Sequence, residues 1–204
     1  FLLKNPGLAG EIVNKLSKST KLPVSVKMRM GFSEYTEEYF TNFCLNLEKA
    51  GAKLLAIHGR ITKQGFSGEA KWEPIYKVKK VLKIPVIGNG DIDSPQTAKE
   101  KLNNLDGIMV GRATFGNPVL MLEIYKNLHP GYTVKNKPPA ISEIAKEHAQ
   151  LAVELWGERR GILKMRKHLL AYIKGFPHAS KYRTRISKVE SLSEALELLD
   201  EINI

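Results

Sequence analysis

Two cations, Lys27 and Arg29, stand two residues apart in the β-rich run PVSVKMRM at 23–30, so they share one side of an extended strand. Two readings are open. The pair either meets acids in an enclosed interior, or Lys27 stabilises negative charge on a bound ring or phosphate while Arg29, nearer the rim, reaches a larger polyanion. His58 ends the next run, LLAIHGR at 54–60, and is followed by Gly59, a placement suited to contacting a ligand. Two further runs end in GNGD at 88–91 and GR at 111–112. Glycines let a backbone approach an anion closely, and Arg112 adds a guanidinium able to bind it through two hydrogen bonds. Asn89, Gly90, Asp91, Gly111 and Arg112 are therefore expected around a phosphate-bearing ligand. The single cysteine, Cys44, lies between Phe43 and Leu47 on an apolar stripe with no neighbouring cation, and reads as a core residue. One cysteine also excludes a disulfide framework and any zinc site built on Cys pairs, and no metal site is expected.

These residues need strands that end together. The four runs are short, β-rich and polar only at their late positions, and helical stretches separate them. Phe40, Phe43, Leu47 and Ala50 form one apolar stripe, and Ile75, Val78 and Leu82 another. Asn5-Pro6, Ser94-Pro95 and Asn117-Pro118 read as helix starts. Alternation of this kind implies parallel strands joined by right-handed crossovers, in a doubly wound sheet or a (β/α)8 barrel. Two cations on one strand suit the barrel, whose strand ends open on a solvated mouth. A barrel needs eight strands, and four are present. Residues 1–128 are thus expected to form four β/α units. Residues 129–140, rich in turn formers, read as a linker, and 141–204 as a small all-α bundle with helices over 141–156, 162–174 and 191–202.

The 204 residues are 43% apolar and 26% charged, which fits a globular chain. No apolar run approaches the roughly 18 residues of a membrane span, so a cytoplasmic protein without membrane contact is expected. A net charge of +11 favours phosphate-bearing partners. Between Arg159 and Lys188 lie ten Lys/Arg and no acid, with Arg160, Lys164, Lys167 and Lys174 to one side of a helix whose apolar stripe is Ile162, Met165, Leu169, Tyr172 and Ile173. Lys181, Arg183, Arg185 and Lys188 continue the excess, with Tyr182 interleaved. The segment is either a solvated cationic face or a surface for nucleic-acid backbone.

VKMR at 26–29, HGR at 58–60, GNGDI at 88–92 and GRA at 111–113 followed by GNP at 116–118 together resemble the C-terminal part of the tRNA-dihydrouridine synthases. Gly65, Gly68, Trp72 and the KGFP string at 174–177 extend the resemblance through nearly the whole chain. It implies the C-terminal four β/α units of a TIM (β/α)8 barrel holding FMN, then a helical tRNA-binding domain. It implies reduction of the C5–C6 double bond of specific tRNA uridines, with NADPH reducing the flavin. By position, Lys27, His58, Asn89, Gly90, Asp91, Gly111 and Arg112 would hold the cofactor. Arg29, Arg60, Arg160, Lys164, Lys167, Lys174, Lys181, Arg183 and Arg185 would face tRNA. The family's general-acid cysteine, in an Asn-x-Gly-Cys-Pro loop, has no counterpart here and is expected before Phe1, so the 204 residues alone are expected to be inactive. The alternatives are a non-catalytic RNA-binding fragment and another FMN- or phosphate-binding barrel oxidoreductase.

Overall fold

A computed structural model describes residues 1–134, 137–177 and 179–202, and divides into two compact units, Phe1–Gly111 and Arg112–Ile204. In the first unit the elements alternate as the apolar patterns require. Helix α1 (Pro6–Ser19) precedes strand β1 (Ser25–Arg29), followed by α2 (Glu37–Lys49), β2 (Leu54–His58), α3 (Glu73–Val81), β3 (Val86–Asn89), α4 (Pro95–Leu102) and β4 (Gly107–Met109). The stripe residues Phe40, Phe43, Leu47, Ile75, Val78 and Leu82 are all buried. Ser94 caps α4, its Oγ accepting the Thr97 N–H at 3.1 Å. Asn117-Pro118 does not open a helix directly, because α5 (Leu120–Leu128) begins two residues later.

All four strands are parallel, in the order β1-β2-β3-β4. A parallel sheet that never reverses its order, joined by right-handed crossovers, carries its helices on one side. Burial agrees with that. Leu55, Ile57 and Val86, on one face, are fully enclosed, whereas the opposite face carries Lys27, Arg29, His58 and Asn89. The sheet is therefore singly wound, with one apolar and one polar face. Glu48 and Asp106 secure the entrance to β3: Glu48 Oε1 accepts the Lys83 and Ile84 N–H groups, and Asp106 Oδ2 accepts that of Val86 at 2.7 Å.

The second unit holds α5, α6 (Ile141–Trp156), α7 (Glu158–Tyr172), α8 (Ala179–Lys188) and α9 (Leu192–Ile202). Ala145, Ala149, Ile162, Met165, Leu169, Ile173, Ile186 and Leu199 meet in one core. Helices α6 and α7 approach so closely that a Cβ on Gly161 would lie 2.6 Å from the Ala152 carbonyl oxygen. The boundary between units precedes the composition change at 129. The reason is local: Gly116, at φ +84°, lies against the backbone of Ala171, and the Phe115 ring lies 4.9 Å from that of His168. Helix α8 is absent from the helices expected from sequence, and α7 begins four residues earlier than expected. Among the described residues no helix is long and apolar enough to cross a membrane.

Candidate active site

Parallel register brings the ends of three strands into one row. Arg29 pairs with His58, and His58 with Asn89, so their side chains share the open face, with Lys27 one step behind on β1. Each occupies that row because the parallel register sets the last residue of its strand on the same face. Gly90 and Asp91 follow directly, at φ +131° and +52°, and turn the chain sharply out of β3. Gly111 follows β4 after Val110, and Arg112 opens the second unit.

His58 is buried, and its pKa is lowered to about 4 by that burial, with the charges of Arg29, Arg60 and Lys27 adding to it and Asp91 opposing. The imidazole is therefore neutral near pH 7. Arg60 Nη1 lies 3.3 Å from His58 Nε2, and a guanidinium only donates, so Nε2 is the acceptor and Nδ1 carries the proton. Lys27 is exposed, while Arg29 is half-buried and donates through Nη1 to the Ile61 and Gly65 carbonyls, both at 2.8 Å. Its guanidinium lies 5.5 Å from the Phe66 ring centroid. The loop after β2 is thus held from β1.

Arg60 departs most from the sequence reading. Expected to face RNA, it is only 2% exposed, and its guanidinium donates to the Ser67 and Gly68 carbonyls and to Asp91 Oδ2 at 2.6 Å. Asp91 Oδ2 also accepts the Ala70 N–H. These two residues form an internal strut that ties the loop 61–70 to the end of β3. The Asn89 side chain is likewise engaged, its Nδ2 donating to the Met109 carbonyl at 2.6 Å. The Asn89 carbonyl is taken as well, accepting the Gly59 N–H at 3.0 Å, which leaves its Oδ1 for any ligand. Cys44 is fully buried with its thiol pushed up to about 12, which suits a core residue and not a proton donor.

In the second unit, Arg160, Lys164, Lys167, Lys174, Lys181, Arg183 and Arg185 are exposed. Arg185 differs from the rest in pairing with Glu201 of α9, Nη2 to Oε1 at 2.8 Å. Sequence reasoning missed this pair, and it also missed Trp156, which lies beside Lys164. Nothing in local spacing signals either contact.

A singly wound parallel α/β unit with a polar row at its strand ends, followed by a basic helical unit, defines the class of the chain. Residues 1–204 match the dihydrouridine synthase (Dus) family throughout, and the chain belongs to that family. The chain is 39% identical to the probable tRNA-dihydrouridine synthase 1 of Synechocystis sp., aligned over 98% of this chain and 57% of the relative. It is 38% identical to the probable tRNA-dihydrouridine synthase of Rickettsia bellii, over 98% and 61%. With tRNA-dihydrouridine synthase B of Proteus vulgaris the identity is 33%, over 98% and 62%. The chain therefore spans about three-fifths of the length of these relatives. Among solved structures, mandelate oxidase with benzoyl-formic acid aligns over 95% of this chain and 69% of its own at 13% identity and a TM-score of 0.35, a likeness too slight to define a fold.

Proposed function

We propose that this chain supplies half of the catalytic barrel and the helical tRNA-binding part of a flavin-dependent tRNA-uridine reductase. The observation that carries the reading is the row Arg29–His58–Asn89 on the open sheet face of a family member. The unpaired edge of β1 and a groove of about 530 Å³ beside it, lined by Leu2, Leu3, Ile12, Leu16, Val26 and Phe43, support closure of the sheet by four further β/α units.

The residues present fit an anionic planar cofactor. Burial first, and then the charges of Arg29, Arg60 and Lys27 against the single carboxylate of Asp91, keep His58 neutral. Bound there, FMN, reduced by NADPH, supplies the reducing equivalents for the uracil C5–C6 bond. Lys27 places a mobile ammonium against developing negative charge on the ring, and His58 offers Nδ1–H as a fixed donor. Asn89 Oδ1 and the backbone of Gly90 and Asp91 would line the cofactor, with Gly111 nearest its phosphate. The Arg60–Asp91 strut holds the loop 61–70 over one side. Cys44 cannot donate the proton to uracil from the core, so that donor lies outside these 204 residues, and they are inactive alone. The exposed cations of α7 and α8 hold tRNA, and the parent enzyme works in the cytoplasm.

Titration of the chain with tRNA at rising salt tests the partner. Binding should weaken steeply, and Lys164→Glu with Lys167→Glu should lower the slope of log K against log salt by about 1.5 to 2. Salt-independent binding, or none, overturns the tRNA reading. Turnover of tRNA uridine with NADPH by the 204 residues alone would overturn the placement of the proton donor.

A further inference from the structure

The hairpin between α6 and α7 carries an unusual surface. Residues 154–160 are all exposed, and around them Leu151, Leu155, Trp156 and Leu163 are 47%, 70%, 46% and 51% exposed. An indole left half in water beside exposed leucines costs hydrophobic free energy unless something covers it. Its neighbours are cationic. The Lys164 ammonium stands 4.8 Å from the Trp156 ring centroid. Arg160, Lys164 and Lys167 fall within one side of α7 at i, i+4 and i+7, a stripe about 10 Å long.

Charge decides what kind of partner fits. No carboxylate of a described residue forms an ion pair with Arg160, Lys164 or Lys167. Glu158, the acid nearest in sequence, is turned to the backbone N–H of Leu192, which its Oε1 accepts at 3.0 Å. A protein partner for an apolar ridge would bury these cations and leave them unpaired, unless it brought acids of its own. A single-stranded nucleic-acid segment answers both features together, because each nucleotide brings a π-face and a phosphate. We propose that Trp156 is a stacking platform for one unpaired base, with Arg160, Lys164 and Lys167 along the adjoining phosphates. The proposal rests on the RNA reading of the basic unit and adds to it a base-contacting site on the α6–α7 hairpin. Lys164 serves both parts, holding one side of the indole and presenting its charge to the backbone.

The chain's two tryptophans make the test direct. Trp72 is buried in the first unit and gives a constant background, so a change in emission on adding RNA reports Trp156. The probes are a tRNA transcript and a short oligouridylate, titrated against the full chain. Emission should be quenched by both, and the quench should vanish in Trp156→Phe. Trp156→Ala should bind about 10-fold more weakly with its salt slope unchanged, since stacking releases no counterions, whereas Lys164→Gln should lower the slope by about 0.7 to 0.9. A circular-dichroism melt of each variant shows that the helical unit is intact. RNA binding with no quench and no loss in Trp156→Ala overturns this site while leaving the RNA reading in place. Absence of RNA binding overturns both. A concentration-dependent blue shift with self-association, in the absence of RNA, would assign the ridge to protein contact and also overturn the site.

Discussion

Neutralising Asp91 should destabilise the first unit more than removing Arg60, although both break the same bond. Arg60 is 2% exposed and the Asp91 side chain 35%, so the two ends of the pair differ in what solvent can do for them once the partner is lost. Asp91→Asn leaves a guanidinium with no counter-charge inside the protein, and Asn tolerates the φ of +52° at that position. Breaking a buried pair from one side costs about 3 to 5 kcal/mol, and partial solvation of the carboxylate places this case near ~3. Arg60→Met leaves instead a carboxylate that keeps the Ala70 N–H and water, and costs ~2 kcal/mol, largely for the Gly68 carbonyl, since Gln64 Nε2 still donates to that of Ser67. The double variant should fall well short of the sum of the two. Urea unfolding followed through Trp72, in a Trp156→Phe background, reads the first unit alone. An independent sign comes from His58, whose pKa should rise in Arg60→Met and fall further in Asp91→Asn, since Arg60 lowers it and Asp91 raises it. Equal, additive losses below about 0.5 kcal/mol, typical of a surface pair, would refute the strut.

His58 also sets an acid limb. Its pKa falls from 6.5 in the unfolded chain to about 4 in the fold, so the unfolded state takes up a proton first as pH drops, and stability declines between those values. The full loss is about 3 kcal/mol, complete below pH 4; His58→Asn should flatten this part of the curve, and an unchanged pH profile by urea titration would contradict the burial argument. Gly161→Ala offers a test of opposite sign to helix propensity. An exposed helix would gain about 1 kcal/mol, yet here the added Cβ meets the Ala152 carbonyl at 2.6 Å, so the helical unit should lose about 1 to 2 kcal/mol by thermal melting.

The strands and their order in space were legible because period-2 alternation and polar strand ends are local facts. Arg29, His58 and Asn89 were read as lying at strand ends, and parallel pairing then set them in one row without further instruction. Arg60 was not legible. Its string, His-Gly-Arg, is the same whether the guanidinium points outward or folds back, and the choice is made by Asp91, thirty-one residues away, with a loop that supplies two carbonyls. Helix α8 was missed for a related reason: of its ten residues only Ala179 and Ile186 are buried, too few for a period to show, and its place depends on a core shared with α9.

The same contrast narrows the charge argument. An acid-free stretch of thirty residues suggests uniform repulsion, but one acid that follows it in sequence returns to it in space. Glu201 reaches back to Arg185, and Glu194 and Glu158 turn to backbone N–H groups at Glu190 and Leu192. Charge reversal at Arg185 therefore disturbs a helix–helix pair as well as any RNA contact, and a loss of binding there is ambiguous. The stripe of Arg160, Lys164 and Lys167 has no such partner among the described carboxylates. Of the cations proposed for substitution, Lys164 and Lys167 therefore separate binding from folding.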